Sequence, residues 1–258
     1  MILIPIKQVP DSWSEKELDR ETKRLARGKT DPVLNDLDEF ALEGALQLAE
    51  QIEVPTAVVT VGPHGAREVL LKALSMGIDE AYHVNDPRLA GACFMQTSAV
   101  LAAIAKKLGS TLIVGGLEST DSKGSVIPAL IAARLGWGNL SSVSEVTIND
   151  TILSAKLHES NSEISYSSPL PCVISLAENS NQPRFPSFKG IMAAKKKPIT
   201  EYSIDDLLGL GFDDDILTPS IEVVDWVEAP PRTKGSLIND PQEGIQVLTK
   251  ILSESKGS

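Results

Sequence analysis

The chain has 258 residues and a formal net charge of −11 at pH 7, so phosphate repulsion excludes nucleic acid and anionic membrane surfaces as expected main partners. Its 42% of hydrophobic residues suffice for a sizeable core in one large or two small domains. Neither a run of about 18 apolar residues nor a signal-peptide pattern occurs, and we expect a cytoplasmic protein without a membrane span.

Short apolar runs and amphipathic segments alternate in the first half of the chain. The apolar runs predict buried strands over residues 1–9, 57–61, 80–84 and 111–114. Helical spacing of apolar side chains predicts helices from about residue 35 to Pro55, and over residues 66–76, 95–108 and 126–135. Residues 12–31 are charged and weakly periodic, and we interpret them as a loop or hairpin excursion.

This alternation predicts an α/β fold with a doubly wound, mostly parallel sheet and helices on both of its faces. Ligands of such sheets bind beyond the carboxyl ends of the strands, at the point where the strand order switches. The loops after the first and fourth predicted strands are therefore where we expect chemistry.

The pattern changes after residue 137. Alternating residues predict antiparallel strands over 144–148, 152–157 and 163–166, with turns at 149–150 and 159–161, and an apolar strand follows at 171–176. From residue 199 the chain is polar and acidic, with a predicted short helix over residues 241–252. Such a segment buries little apolar surface by itself. We therefore divide the chain into an α/β domain, residues 1–198, and an extended C-terminal arm, residues 199–258, that wraps a partner subunit.

The loop after the fourth predicted strand is polar and leads into a helix. Backbone N–H groups at a helix N-terminus, serine and threonine hydroxyls and Lys123 could together hold a phosphate. The residue order of a P-loop is absent, however, and every fold of this class has such a turn. A nucleotide site and a plain turn both stay open for residues 115–125. Two interpretations are likewise open for residues 35–38: they face the same crevice, or they simply cap a helix.

Residues 181–199 place apolar side chains beside a cationic run. Prolines interrupt the start of this segment, and Pro198 ends the helix-compatible residues 191–197. The apolar side chains either fold back onto the core or dock into a groove of a partner that Lys195, Lys196 and Lys197 attract. These apolar residues are Phe185, Phe188, Ile191 and Met192.

No catalytic constellation is visible in the sequence. The three histidines and two cysteines lack metal-ligand spacing, and the common nucleophile and metalloprotease motifs are absent, so we expect neither a metal site nor an enzyme. The alternatives are a nucleotide-binding or adenylating enzyme of the same fold, or a nucleotide sensor. The enzyme would need a glycine-rich loop after the first strand, where residues 7–12 contain no glycine.

Several short motifs together resemble one family over nearly the whole chain. They are Lys7-Gln8-Val9-Pro10-Asp11, Asn35-Asp36-Leu37-Asp38-Glu39, Val61-Gly62-Pro63, residues 72–77, Gln182-Pro183-Arg184-Phe185-Pro186-Ser187 and residues 191–199. In this combination they are similar to the β-subunits of electron-transferring flavoproteins.

The resemblance implies an adenine-nucleotide-binding type of fold within an α/β heterodimer. The α-subunit would hold most of the FAD, and this chain would keep AMP or, as in bifurcating relatives, a second FAD. It would carry electrons from flavin dehydrogenases such as acyl-CoA dehydrogenases toward the respiratory chain through a quinone oxidoreductase. The residues that would line the nucleotide site are Pro5, Asn35, Asp36, Leu37, Asp38, Val61, Gly116, Thr120, Asp121, Ser122, Lys123, Gly124, Ser125 and Val126.

The resemblance also implies a recognition loop near residues 182–197 that docks partner dehydrogenases. Its apolar anchor corresponds to Phe188, where leucine is usual, with Ile191 and Met192 beside it and Lys195, Lys196 and Lys197 in a steering or supporting role. Lys123 stands where an acidic or polar residue is usual in the family's nucleotide loop. A cation there should suit a phosphate.

Overall fold

The computed structural model describes residues 1–159, 162–231, 234–235 and 237–254. Its strands are β1 (Ile2–Pro5), β2 (Gln8–Pro10), β3 (Pro32–Leu34), β4 (Thr56–Val61), β5 (Glu80–Val84), β6 (Leu112–Gly116), β7 (Gly138–Val143), β8 (Glu145–Asn149), β9 (Ile152–Glu159), β10 (Ser162–Pro169), β11 (Cys172–Leu176) and β12 (Ile199–Tyr202). Its α-helices are α1 (Asp36–Ile52), α2 (Arg67–Met76), α3 (Phe94–Leu108), α4 (Ile127–Leu135), α5 (Phe188–Ala194), α6 (Asp213–Leu217) and α7 (Pro241–Glu254).

A seven-stranded sheet in the order β12-β5-β4-β1-β6-β11-β7 forms the centre of the fold, and all of its neighbouring strands are parallel. The chain runs outward from β1 through β4 to β5, and then returns to place β6 on the other side of β1. The strand order therefore switches between β1 and β6, whose carboxyl ends are Pro5 and Gly116. This confirms the predicted doubly wound α/β class.

Helices cover both faces of this sheet because its strands are apolar on both sides. In β1, the two-residue period places Ile2 and Ile4 in the core under α1 and α2, and Leu3 in the opposite core under α3 and α4. Leu42 of α1 and Ile104 of α3 are fully buried in these two cores. Among the described residues, no helix has both the length and the apolar character that a membrane span requires.

The predicted first strand is two strands in the structure. After β1, the backbone N–H of Lys7 donates to Asp38 Oδ2 at 2.8 Å, so it does not continue the sheet ladder. The following β2 pairs antiparallel with β3 instead, and residues 11–31 form an excursion between these two strands. The interpretation of residues 12–31 as a loop or hairpin excursion is therefore confirmed.

A second, three-stranded antiparallel sheet contains β8, β9 and β10, as the sequence predicted. The predicted turn at residues 149–150 joins β8 to β9, with Asp150 at a φ of 54°. Residues 160–161 of the other predicted turn lie outside the described residues. Strand β7 was missed, because its sequence Gly-Asn-Leu-Ser-Ser-Val at the sheet edge has little apolar character.

The structure places the end of the α/β unit later than the sequence predicted. Instead of beginning an arm, residues Ile199–Tyr202 form the edge strand β12, which pairs with β5. Ile204, Leu207 and Ile216 are buried beyond it, and Asp215 forms an ion pair with Arg134 of α4. The first compact unit accordingly spans Met1–Val224, and a second begins at Asp225. Helix α7 of the second unit agrees with the predicted helix over residues 241–252.

Ile216 provides a test of this later boundary, because it is 1% exposed and packs in the core under α3 and α4. We expect Ile216→Ala to lower the free energy of unfolding by about 2–5 kcal/mol, since the lost side chain leaves a cavity. Val223→Ala, at a side chain that is 51% exposed, should change it by less than about 0.5 kcal/mol. Urea unfolding followed by circular dichroism would measure both, and equally small effects would contradict the boundary.

Candidate functional site

Three segments that are distant in sequence meet at the switch in strand order. They are the chain leaving β1, the N-terminus of α1 and the loop after β6. Gly116 permits the contact, because a Cβ on it would lie 2.5 Å from Asp38 Oδ1 and 2.9 Å from the carbonyl oxygen of Leu37. The crevice predicted from the alternation of strands and helices is therefore present, and it lies at the predicted segments.

Asn35 joins the start of α1 to the loop after β6. Its buried side-chain amide donates from Nδ2 to the carbonyl of Glu118 at 2.9 Å and accepts the N–H of Thr120 at Oδ1, also at 2.9 Å. One amide thus satisfies a backbone acceptor and a backbone donor together. Asn35 occupies the N-cap position of α1, but its side chain makes no capping hydrogen bond to the helix and reaches the loop after β6.

Asp121 is the buried centre of an ion-pair cluster whose two cations are partly exposed. Its side chain is 0% exposed, and it accepts from Lys7 Nζ at 2.7 Å and from Arg27 Nε at 2.8 Å. Lys7 Nζ also donates to Ser122 Oγ at 3.0 Å. Burial alone would raise the pKa of Asp121, but the charges and hydrogen bonds of Lys7 and Arg27 hold it at about 2. Asp121 is thus paired with two side chains of its own chain, and its contact with a nucleotide stays a prediction.

Lys7 and Arg27 are site residues to which sequence reasoning gave no role. Lys7 was part of a quoted motif, and Arg27 lies in the excursion between β2 and β3. Their partner Asp121 follows them by 114 and 94 residues, a separation that leaves no spacing signal in the sequence. Burial lowers the pKa of Lys7, while the Asp121 charge opposes that shift.

Asp38 is the second buried carboxyl group of the crevice, with an exposed fraction of 6%. Burial raises its pKa to about 7, although the Asn35 amide, the Lys7 backbone N–H and the Lys7 charge all lower it. Near neutral pH this group therefore exchanges between its charged and neutral forms. Its Oδ2 accepts the backbone N–H of Lys7 and thereby connects α1 to the exit of β1.

The tip of the loop after β6 offers donors that the fold does not use. Lys123, Gly124 and Ser125 are exposed, and the backbone N–H groups of residues 124–126 have no acceptor among the described residues. Within the same part of the chain, the Lys123 side chain forms no ion pair, and the buried Thr120 Oγ1 has no partner. Lys123 and Ser125 adopt positive φ angles of 48° and 52° immediately before α4. Such an arrangement of N–H groups and a cation can hold an anion.

The remaining predicted residues lie around the same edge of the sheet. Pro5 ends β1, and a Cβ on Gly115 of β6 would lie 3.8 Å from its Cγ. Val61 ends β4, the strand next to β1, and is partly exposed. In the first turn of α1, Asp36 is exposed and Leu37 is buried. Contact of these four residues with a nucleotide stays a prediction.

The segment that is predicted to dock partners, residues 182–197, is named the docking segment after that prediction. It does not fold its aromatic side chains back onto the core. Phe185 and Phe188 are 93% and 82% exposed, and Ile191 and Met192 are exposed on α5. Ser187 caps this helix by accepting the N–H of Gly190 at 3.0 Å. Lys195 and Lys196 are exposed.

Lys197, the last lysine of the cationic run, has a structural contact. Its Nζ donates to the carbonyl of Ile78 at 2.6 Å, just beyond the C-terminus of α2. This interaction supports the end of the docking segment, which is one of the two roles predicted for the lysines. Among the described residues, no group of three or more histidine, cysteine or acidic side chains is arranged to hold a metal ion.

Comparison with known proteins gives consistent matches. A family model described as "Electron transfer flavoprotein domain" matches residues 22–207. The chain is 37% identical over 262 residues to the electron transfer flavoprotein subunit beta of Mycobacterium tuberculosis, which covers 99% of this chain and 98% of that protein. It is 34% identical over 210 residues to the caffeyl-CoA reductase-Etf complex subunit CarD of Acetobacterium woodii, with 80% and 79% covered. The electron transfer flavoprotein subunit beta of Bacillus subtilis is 29% identical over 246 residues, with 94% and 95% covered.

Gly116 gives a test of the close contact between β6 and α1. We expect Gly116→Ala to lower the free energy of unfolding by about 1–3 kcal/mol, because its Cβ would overlap Asp38 and the Leu37 backbone. Gly124→Ala is the matched control, since the nearest atom to its Cβ is Val126 Cγ2 at 3.9 Å. Denaturant unfolding of both variants measures the difference. A Gly116→Ala protein as stable as the control would show that α1 does not lie this close to β6.

Proposed function

The chain belongs to the electron transfer flavoprotein family, and we propose that it is the β-subunit of a heterodimer that carries electrons between flavin dehydrogenases and a quinone oxidoreductase. The observation that carries the proposal is the 37% identity to a named β-subunit along 99% of the chain. Members of this family are electron carriers and not enzymes. FAD, when bound in the heterodimer, supplies the redox chemistry, and the protein binds and orients it.

An α-subunit is the partner that we propose for the apolar surface of the second unit. In α7, Ile245, Leu248 and Leu252 recur at helical spacing and are 65%, 61% and 62% exposed. An exposed apolar stripe of this kind is typical of a helix that packs against another protein. The relatives are named beta subunits, and this name favours an α-subunit as the protein that packs against α7. The segment from Asp225 onward would thus form the arm that wraps the partner.

We further propose that the loop after β6 holds the phosphate of AMP. The residues present fit such a group, because Lys123 and the N–H groups of residues 124–126 offer a cation and donors, and Thr120 Oγ1 is a buried hydroxyl without a partner in the described chain. The charge of Asp121 does not oppose a phosphate, since Lys7 and Arg27 both pair with it. A second FAD is the other nucleotide that such a loop would accept.

For docking, we propose that Phe188 inserts into a groove of the dehydrogenase, with Ile191 and Met192 at its side. The exposed fraction of 82% at Phe188 supports this role, because large exposed apolar side chains often mark interaction sites. Lys195 and Lys196 would attract acidic groups of that partner, while Lys197 supports the segment through its bond to Ile78. Acyl-CoA dehydrogenases are candidate partners.

Co-expression with an α-subunit tests the function and the nucleotide site together. We expect a yellow heterodimer that releases AMP on denaturation. Lys123→Glu should weaken AMP binding by about 10- to 100-fold, because a charge-assisted hydrogen bond is lost and a repulsion is gained. Lys195→Glu makes the same charge change outside the site and should leave AMP bound.

The visible spectrum and chromatography of the released nucleotides give both results. A colourless heterodimer, or a stable monomer that hydrolyses ATP, would contradict the electron-carrier proposal. Release of two FAD molecules per heterodimer and no AMP would show that the second nucleotide is FAD. If Lys123→Glu and Lys195→Glu bind AMP equally well, Lys123 does not contact the nucleotide.

Phe188→Ala tests the docking proposal. We expect the KM of a flavin dehydrogenase for the heterodimer as electron acceptor to rise about tenfold or more, because an anchor residue is lost. The flavin content should be unchanged. Trp13→Ala, which removes a 95% exposed aromatic side chain from the excursion, is the control and should leave KM unchanged. Loss of flavin from Phe188→Ala would show instead that the segment is structural.

A further inference from the structure

Arg184 joins the docking segment to helix α1 through two carboxylates. Its Nε lies 2.7 Å from Glu43 Oε2, its Nη2 lies 3.1 Å from Glu43 Oε1, and its backbone N–H also donates to Glu43 Oε2 at 3.1 Å. The remaining arm of the guanidinium, Nη1, lies 2.8 Å from Glu50 Oε1. Glu43 and Glu50 are about two helical turns apart and therefore share one face of α1. The planar guanidinium of arginine can donate to both carboxylates in a fixed orientation.

The burial of Glu43 strongly favours this contact in the folded chain. Glu43 is only 4% exposed, and Gln47 Nε2 donates to its Oε1 at 2.8 Å. Burial would raise the pKa of Glu43, but the bonds from Arg184 and Gln47 lower it below its usual value. An ionised carboxylate at this depth without a cation would be strongly destabilising. Arg184 therefore has one strongly favoured position.

Other contacts hold the rest of the docking segment near the same helices. Asn181, just before it, donates from Nδ2 to the carbonyl of Phe40 in α1 at 2.9 Å. Gly190 in α5 lies against α2, because a Cβ on it would be 2.4 Å from the carbonyl oxygen of Ser75. Arg184, which is held by two carboxylates of α1, directly precedes the exposed Phe185 and lies four residues before Phe188. The side chains that face solvent are thus carried by a backbone that is fixed on both sides of them.

We propose that Arg184 is a positioning residue for docking, which holds Phe188 in the orientation that a dehydrogenase meets. The inference rests on the proposed docking role of Phe188. A segment that is already ordered loses less conformational freedom when the partner binds, so the affinity of docking is higher. Lysine at position 184 would keep the charge and lose the forked contact with Glu43 and Glu50.

The test compares Arg184→Lys with Arg88→Lys in the flavin-loaded heterodimer. Arg88 is a matched control, because it makes a similar forked contact with Asp86 away from the docking segment. The assay uses a flavin dehydrogenase that reduces the wild-type heterodimer. We expect Arg184→Lys to raise KM for the heterodimer about tenfold with kcat within about twofold, and to speed amide hydrogen exchange in residues 185–192. Arg88→Lys should change neither.

A second variant covers the case in which Arg184→Lys folds poorly. Glu50→Gln removes the ion pair between Arg184 Nη1 and Glu50. The Glu50 side chain is 61% exposed, so this change leaves no unpaired buried charge. We expect a smaller rise of KM, about two- to threefold, in the same direction.

The outcomes separate the two proposals. If Phe188→Ala raises KM and Arg184→Lys does not, Arg184 only stabilises the fold and the positioning role is wrong. If neither variant raises KM, the docking role of the segment is itself wrong. Loss of flavin or of nucleotide from both Arg184→Lys and Glu50→Gln would likewise overturn positioning, since the defect would then be general.

Discussion

The pairing of one buried carboxylate with two cations fixes the crevice at the switch in strand order. Asp121 lies in the loop after β6, Lys7 follows β1, and Arg27 belongs to the excursion between β2 and β3. A single buried carboxylate thus connects three segments beyond the ends of the strands that precede them. Without the cations, the carboxylate would be neutralised by a proton or forced toward solvent, because an unpaired buried charge is very costly. The positive φ angles of Lys123 and Ser125 persist on this fixed loop.

Helix α1 is a common support for both proposed sites. Its N-terminal turn carries the carboxyl group of Asp38 and follows the Asn35 amide, while Glu43 and Glu50 further along hold Arg184 of the docking segment. A helix of 17 residues is roughly 25 Å long, so α1 extends from the loop after β6 to the docking segment. This shared support does not make the sites allosteric, because coupling would require α1 to have two alternative arrangements.

The sequence predicted the central α/β architecture because its signals are local. Buried strands and amphipathic helices carry their periods within a few residues, and the carboxyl ends of parallel strands then converge whatever the loops contain. The roles of Asp121 and Asn35 were not predictable in this way. Each depends on a partner about 80 to 115 residues distant, which composition and spacing do not reveal. Strand β12 was missed because an edge strand with exposed Thr200 and Glu201 resembles a polar arm.

The net charge of −11 does not by itself predict where an anion would bind to this chain. The position of cations that have no acidic or carbonyl partner in the chain is more informative. Arg27, Arg184 and Lys197 are engaged by acidic or carbonyl groups of the chain itself. In the described part of the chain, Lys123, Lys195 and Lys196 have no such partner. Salt screens charges over about 8–10 Å, so an approaching anionic group responds to these unpaired lysines and much less to the distant acidic surface. Lys123 lies where a phosphate is proposed to bind, and Lys195 and Lys196 lie where an acidic partner is proposed to bind. A negative protein can therefore present two positive sites without contradiction.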